Sequence, residues 1–128
     1  MNTKLLLASS AIFLGSIGLA TSFFPQEMLA IIDLAETRIS VLLVQILAAQ
    51  FMGFGMLNWM AQGNMLGGIY YRPVTMGNLV HFGVGAIGII KAALATSNNT
   101  ALWLAAVPYT IYALLFAKVF FKSPVKSN

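Results

Sequence analysis

Residues 39–60 read ISVLLVQILAAQFMGFGMLNWM, with no charged side chain among them. A helix needs roughly 20 such residues to cross about 30 Å of hydrocarbon. Without water, only a helix satisfies its backbone hydrogen bonds within a single segment, so the stretch predicts a membrane-spanning helix and not a strand. Three more segments share its character: residues 4–24, 73–95 and 101–121. None of the four contains an acidic residue. The 128-residue chain is therefore expected to be a single transmembrane domain, residues 1–128, folded as an all-α integral membrane four-helix bundle.

Composition agrees. The chain is 59% hydrophobic and 8% charged, with a mean hydropathy of +0.87, where a soluble domain carries about 25% charged residues. A surface so poor in charge calls for lipid as its solvent. The net charge of +4 would suggest nucleic acid in a soluble protein. Here the basic residues flank apolar runs and serve as topology signals, so no nucleic-acid partner is expected. There is no cysteine, which excludes disulfides, thiolate nucleophiles and thiolate-ligated clusters.

The first segment has a second reading. Met1 to Ala20 carries one lysine, an apolar run and a Gly-Leu-Ala ending, and so resembles a secretory signal peptide. We expect it to serve as a membrane helix. Pro25 to Arg38 is the longest connection, PQEMLAIIDLAETR, in which apolar residues interleave with Glu27, Asp33 and Glu36. That pattern suits either a short interfacial helix begun by Pro25 or an irregular loop. Gly63, Gly67 and Gly68 mark a second turn, and Ser97 or Asn99 is placed to cap the last helix. Trp59, Tyr70, Tyr71, Trp103 and Phe120 lie near the predicted boundaries, as interfacial anchors do. Pro108 interrupts the fourth span and frees the Leu104 carbonyl, predicting a static kink.

Orientation follows from the basic residues. With the N-terminus inside, Lys4, Arg72, Lys118, Lys122 and Lys126 are cytoplasmic, and only Arg38 and Lys91 fall on the far side. Short basic loops favour the cytoplasm, so both termini are expected there, in what reads as a bacterial inner membrane.

Polar residues within the spans are the informative ones, because lipid offers them no partners. Those of interest are Gln50, Asn58, Asn78, His81 and Tyr112. Ser9, Ser10, Ser16 and Thr21 in the first span can bond carbonyls of their own helix. Gly77, His81, Gly85, Gly88 and Ala92 share one face of the third span, which is small apart from His81. Ala49 and Gly53 form a similar small pair on the second span, and such faces let helices approach closely. Aligning Met60 with Pro73 places His81 within a turn of Gln50, with Tyr112 at nearly the same depth. Gln50, His81 and Tyr112 are thus expected to meet inside the bundle, with Asn58 and Asn78 about a turn nearer the cytoplasm. The first span, lacking these features, is expected at the periphery.

Interhelical hydrogen bonding is the plainer role for this cluster, and an intramembrane pocket for a quinone or a lipid head group is the functional one. A proton relay through His81 would need further titratable groups, and the spans supply no carboxylate. One histidine cannot supply two haem ligands within a chain, and no metal site is expected. Asp33 and Glu36 form a solvated acidic face, and Lys91 lies where it can snorkel to the head groups.

The four-span layout, with FFPQEML after the first span, GFGMLNW closing the second and NLVHFGVG in the third, resembles the small DoxX-like membrane proteins. Some members of that group are linked to quinone-coupled sulfur oxidation as partner subunits and many others have no assigned activity, so the resemblance implies a partner-subunit role for some members and carries over no catalytic residue. The expected function is a non-enzymatic accessory subunit or self-associating scaffold in contact with membrane lipid, as a homo-oligomer or part of a larger membrane complex. A quinone- or lipid-binding component around His81 is the alternative, and a small dimeric transporter a further one. No cofactor is expected beyond such a quinone or lipid.

Overall fold

A computed structural model describes residues 2–63 and 71–122. The turn glycines Gly67 and Gly68, the anchor Tyr70 and the basic tail beyond Lys122 lie outside the described residues. The helices are α1 (Thr3–Phe23), α2 (Pro25–Ile31), α3 (Arg38–Ala61), α4 (Tyr71–Ala95) and α5 (Thr100–Lys122), and no strand occurs among the described residues. All but α2 are long and apolar enough to cross a membrane.

Local chemistry sets the helix ends. The Asn2 side chain accepts hydrogen bonds from the N–H groups of Lys4 and Leu5 and so starts α1. Pro25 occupies the first turn of α2, where its missing N–H costs nothing. Asp33, at φ 56°, turns the chain out of α2, and the Leu34 N–H returns to the Leu29 carbonyl at 2.9 Å. Of the two readings of the 25–38 connection, a short helix thus holds for its first half, Pro25–Ile31, and the rest is non-helical. Thr37 and Ser40 form a reciprocal capping box at the start of α3. Of the two candidate caps for the last helix, Asn99 does the capping, accepting from the Leu102 N–H at 3.2 Å.

The long helices associate as two tight pairs. α1 lies against α3 through glycine: a Cβ added at Gly18 would sit 2.9 Å from the Met52 nitrogen, and one at Gly55 would sit 3.0 Å from the Gly15 nitrogen. The matching positions run in opposite directions along the two helices, so α1 and α3 are antiparallel. α4 lies against α5, where the Tyr109 ring covers Gly85. Between the pairs the backbones stand further apart, and long side chains fill the space. Phe82 is the hub of this layer. It is fully buried and stacks on Tyr112 and Phe116, with ring centroids 4.9 Å and 5.7 Å away.

The first helix is therefore not peripheral. Eight of its residues are buried, against four or five in each other long helix. Its scarcity of polar groups suggested an outer position, but in an apolar bundle close approach is set by small side chains. Ala11, Gly15 and Gly18 provide that surface.

Candidate functional site

Two arrangements occupy the interior, one polar and one aromatic. In the first, Asn58 of α3 faces Asn78 of α4. The Asn58 amide donates to Asn78 Oδ1 at 2.7 Å, and the Asn78 amide donates to Asn58 Oδ1 at 2.6 Å. The second N–H of Asn58 reaches Ser10 Oγ on α1 at 3.0 Å, and the second N–H of Asn78 reaches the Val74 carbonyl at 2.9 Å. Ser10 in turn donates to Leu7 O at 3.0 Å. All four amide donors are used, and Ser10, Asn58 and Asn78 are all 0% exposed. The junction joins α1, α3 and α4 at one level. No buried side-chain nitrogen or oxygen among the described residues lacks a partner.

About one turn further along α4, His81 enters the aromatic layer. Its ring stacks on Phe54 at 4.6 Å with an interplanar angle of 28°, and it meets Phe51 and Phe82 edge to face. The Tyr109 hydroxyl lies 3.4 Å from His81 Nε2, a long contact. His81 itself is half-buried.

The candidate residues are thus divided. Asn58 and Asn78 meet each other. His81 meets Tyr109, whereas Tyr112, one turn along α5, stacks on Phe82 and lies 5.4 Å, centroid to centroid, from Phe13. Gln50 is exposed on α3, and the hydrogen-bond partner of His81 is Tyr109. Of the packing residues, Gly77 contacts Phe54 and Gly85 contacts Tyr109, but Ala49, Gly53 and Gly88 are exposed. In the single chain Gly53 and Gly88 have open space where a Cβ would go. Ser10 and Tyr109 are the interior partners that sequence reasoning missed. Ser10 makes the expected bond to its own helix and also accepts from Asn58.

Two grooves open on the outside of the bundle. An apolar one of about 340 Å³ runs between α1 and α3, floored by Ala11, Gly15 and Gly55 and walled by Met52, Met56 and Trp59. The other lies at the start of α3, beside Glu36, Arg38 and Gln45. No group of three or more metal-binding side chains occurs among the described residues.

The fold and its interior define an all-α bundle of four long apolar helices, tied by a buried amide junction. Comparisons with protein-family models, with curated proteins and with solved structures gave no match for the chain.

Proposed function

We propose that all four long helices cross a membrane, with both termini on the cytoplasmic side of a bacterial inner membrane, and that the protein is a non-enzymatic accessory subunit or self-associating scaffold. The antiparallel order brings Lys4, Arg72, Lys118 and Lys122 to one end of the bundle and Glu27, Asp33 and Glu36 to the other. This sidedness supports the orientation. Exposed leucine, isoleucine, valine and phenylalanine cover the outside, as a lipid-facing surface requires.

One observation carries the functional reading: Asn58, Asn78 and Ser10 use their donors on one another and on carbonyls of their own helices. Groups committed in this way hold helices together, which leaves the outer surface to do the protein's work. Extraction in mild detergent followed by mass measurement should give an assembly larger than one chain. A monomer without partners would refute the reading.

A second reading rests on His81. Its Nε2 meets the hydroxyl of the buried Tyr109 in an aromatic setting, and the His81 ring is itself half-buried, which suits the head group of a quinone or a lipid. Native mass spectrometry should then find such a molecule on the wild type and not on His81→Ala. Equal retention by both would remove this reading.

A further inference from the structure

One polar side chain is left over from the interior network. Gln50 lies midway along α3, exposed, with no hydrogen-bond partner among the described residues. Midway along a spanning helix is the middle of the hydrocarbon, where an unsatisfied primary amide is unfavourable. Gln45 is also exposed, but it lies about two turns from the start of α3, beside Glu36 and Arg38. It can reach the head-group region, and Gln50 cannot.

The surroundings of Gln50 form a pattern. Leu43, Ile46, Gln50, Gly53, Leu57 and Met60 follow alternating steps of three and four, the repeat of a helix that winds about a partner with left-handed crossing. All six are exposed, so this whole seam of α3 is unused in the single chain. Gly53 forms a dip beside Gln50, with nothing within 4 Å of an added Cβ.

We propose that a second copy of the chain docks on this seam, α3 against α3, with the two Gln50 side chains hydrogen-bonded across a two-fold axis along the membrane normal. The inference rests on the membrane reading above and names the surface and partner for self-association. The choice of a second copy follows from depth. A partner must present a polar group at the level of Gln50, in the middle of the bilayer. Two chains of the same orientation related by such an axis place identical residues at identical depths. An amide that donates and accepts is its own complement. A single polar residue within an apolar seam also fixes register.

The absence of cysteine makes the test clean. Single-cysteine variants Ile46→Cys, Gly53→Cys and Leu57→Cys alter exposed positions and leave Gln50 in place. They should form disulfide-linked dimers on oxidation in membranes at high lipid-to-protein ratio. Val84→Cys on α4 and Leu104→Cys on α5, also exposed, should not. Adding Gln50→Leu should weaken dimerisation roughly tenfold, the loss of the two interhelical hydrogen bonds that the symmetric pair exchanges. Equal cross-linking at Val84 or Leu104, silence at Gly53 and Leu57, or no effect of Gln50→Leu would overturn the proposal. Cross-links to a different polypeptide instead would also overturn it while leaving the accessory-subunit reading intact. A chain that is monomeric and without partners would overturn both.

Discussion

Asn58 of α3 and Asn78 of α4 lie amide to amide, and the hydrogen bonds they exchange, at 2.7 and 2.6 Å, join two helices whose backbones make few close approaches. Ser10 extends the junction to α1. Three of the four long helices are therefore fixed at a common level by side chains with no other partners across the bundle.

Removing one member should cost more than a single bond. Asn78→Ala leaves the Asn58 carbonyl and one N–H buried and unpaired, a loss of roughly 1–3 kcal/mol. The double replacement Asn58→Ala/Asn78→Ala should fall short of the sum of the singles, with a coupling of about 1 kcal/mol. Unfolding in mixed micelles titrated with a denaturing detergent measures this. A coupling near zero would mean that the amides do not act as a pair.

The contact between α1 and α3 predicts a contrast among glycines. A side chain at Gly18 or Gly55 meets backbone atoms of the facing helix, which cannot rotate away. Gly18→Leu and Gly55→Leu should each destabilise by about 1–3 kcal/mol or more. Gly53→Ala enters open space and should be neutral or stabilise by up to about 1 kcal/mol. The same detergent titration ranks the three variants, and equal losses would contradict this helix pairing.

His81 offers a way to separate packing from binding. Its ring contacts three phenylalanines and Tyr109. His81→Phe keeps a planar aromatic ring, somewhat larger than imidazole and without its nitrogens, and should cost about 1–2 kcal/mol. His81→Ala opens a cavity and should cost about 2–4 kcal/mol. If His81 is a packing residue, His81→Phe should assemble and behave as the wild type. If it anchors a head group, the variant should fold normally and lose the bound molecule in native mass spectrometry.

The sequence made the helices legible because hydrophobic length is a local property. Residues 39–60 and α3 (Arg38–Ala61) differ by one residue at each end. Helix pairing was less legible. Glycine faces occur on α1, α3 and α4, and in helices apolar all round, no polar face shows which small surface turns inward. Hence Ala49 and Gly53 read as the packing face of α3, whereas Gly55, two residues on from Gly53, makes the close contact with α1. The interior site was legible in part. Asn58 and Asn78 stood out as amides in apolar helices at similar depth. Ser10 was hidden because a serine hydroxyl can satisfy itself on its own helix. Tyr109 was displaced by Tyr112 because depth counted along straight helices does not resolve one turn, and Pro108 lies beside the pair.

In the proposed topology the chain crosses the membrane four times with both ends in the cytoplasm. Labelling of single cysteines by a membrane-impermeant reagent tests it most directly. Ala35→Cys and Ser97→Cys, at exposed positions between helices, should react in intact spheroplasts. Gly63→Cys, just beyond α3 and also exposed, should react only after the membrane is opened. Labelling of Gly63→Cys from outside, or protection of Ala35→Cys or Ser97→Cys until the membrane is opened, would contradict the account.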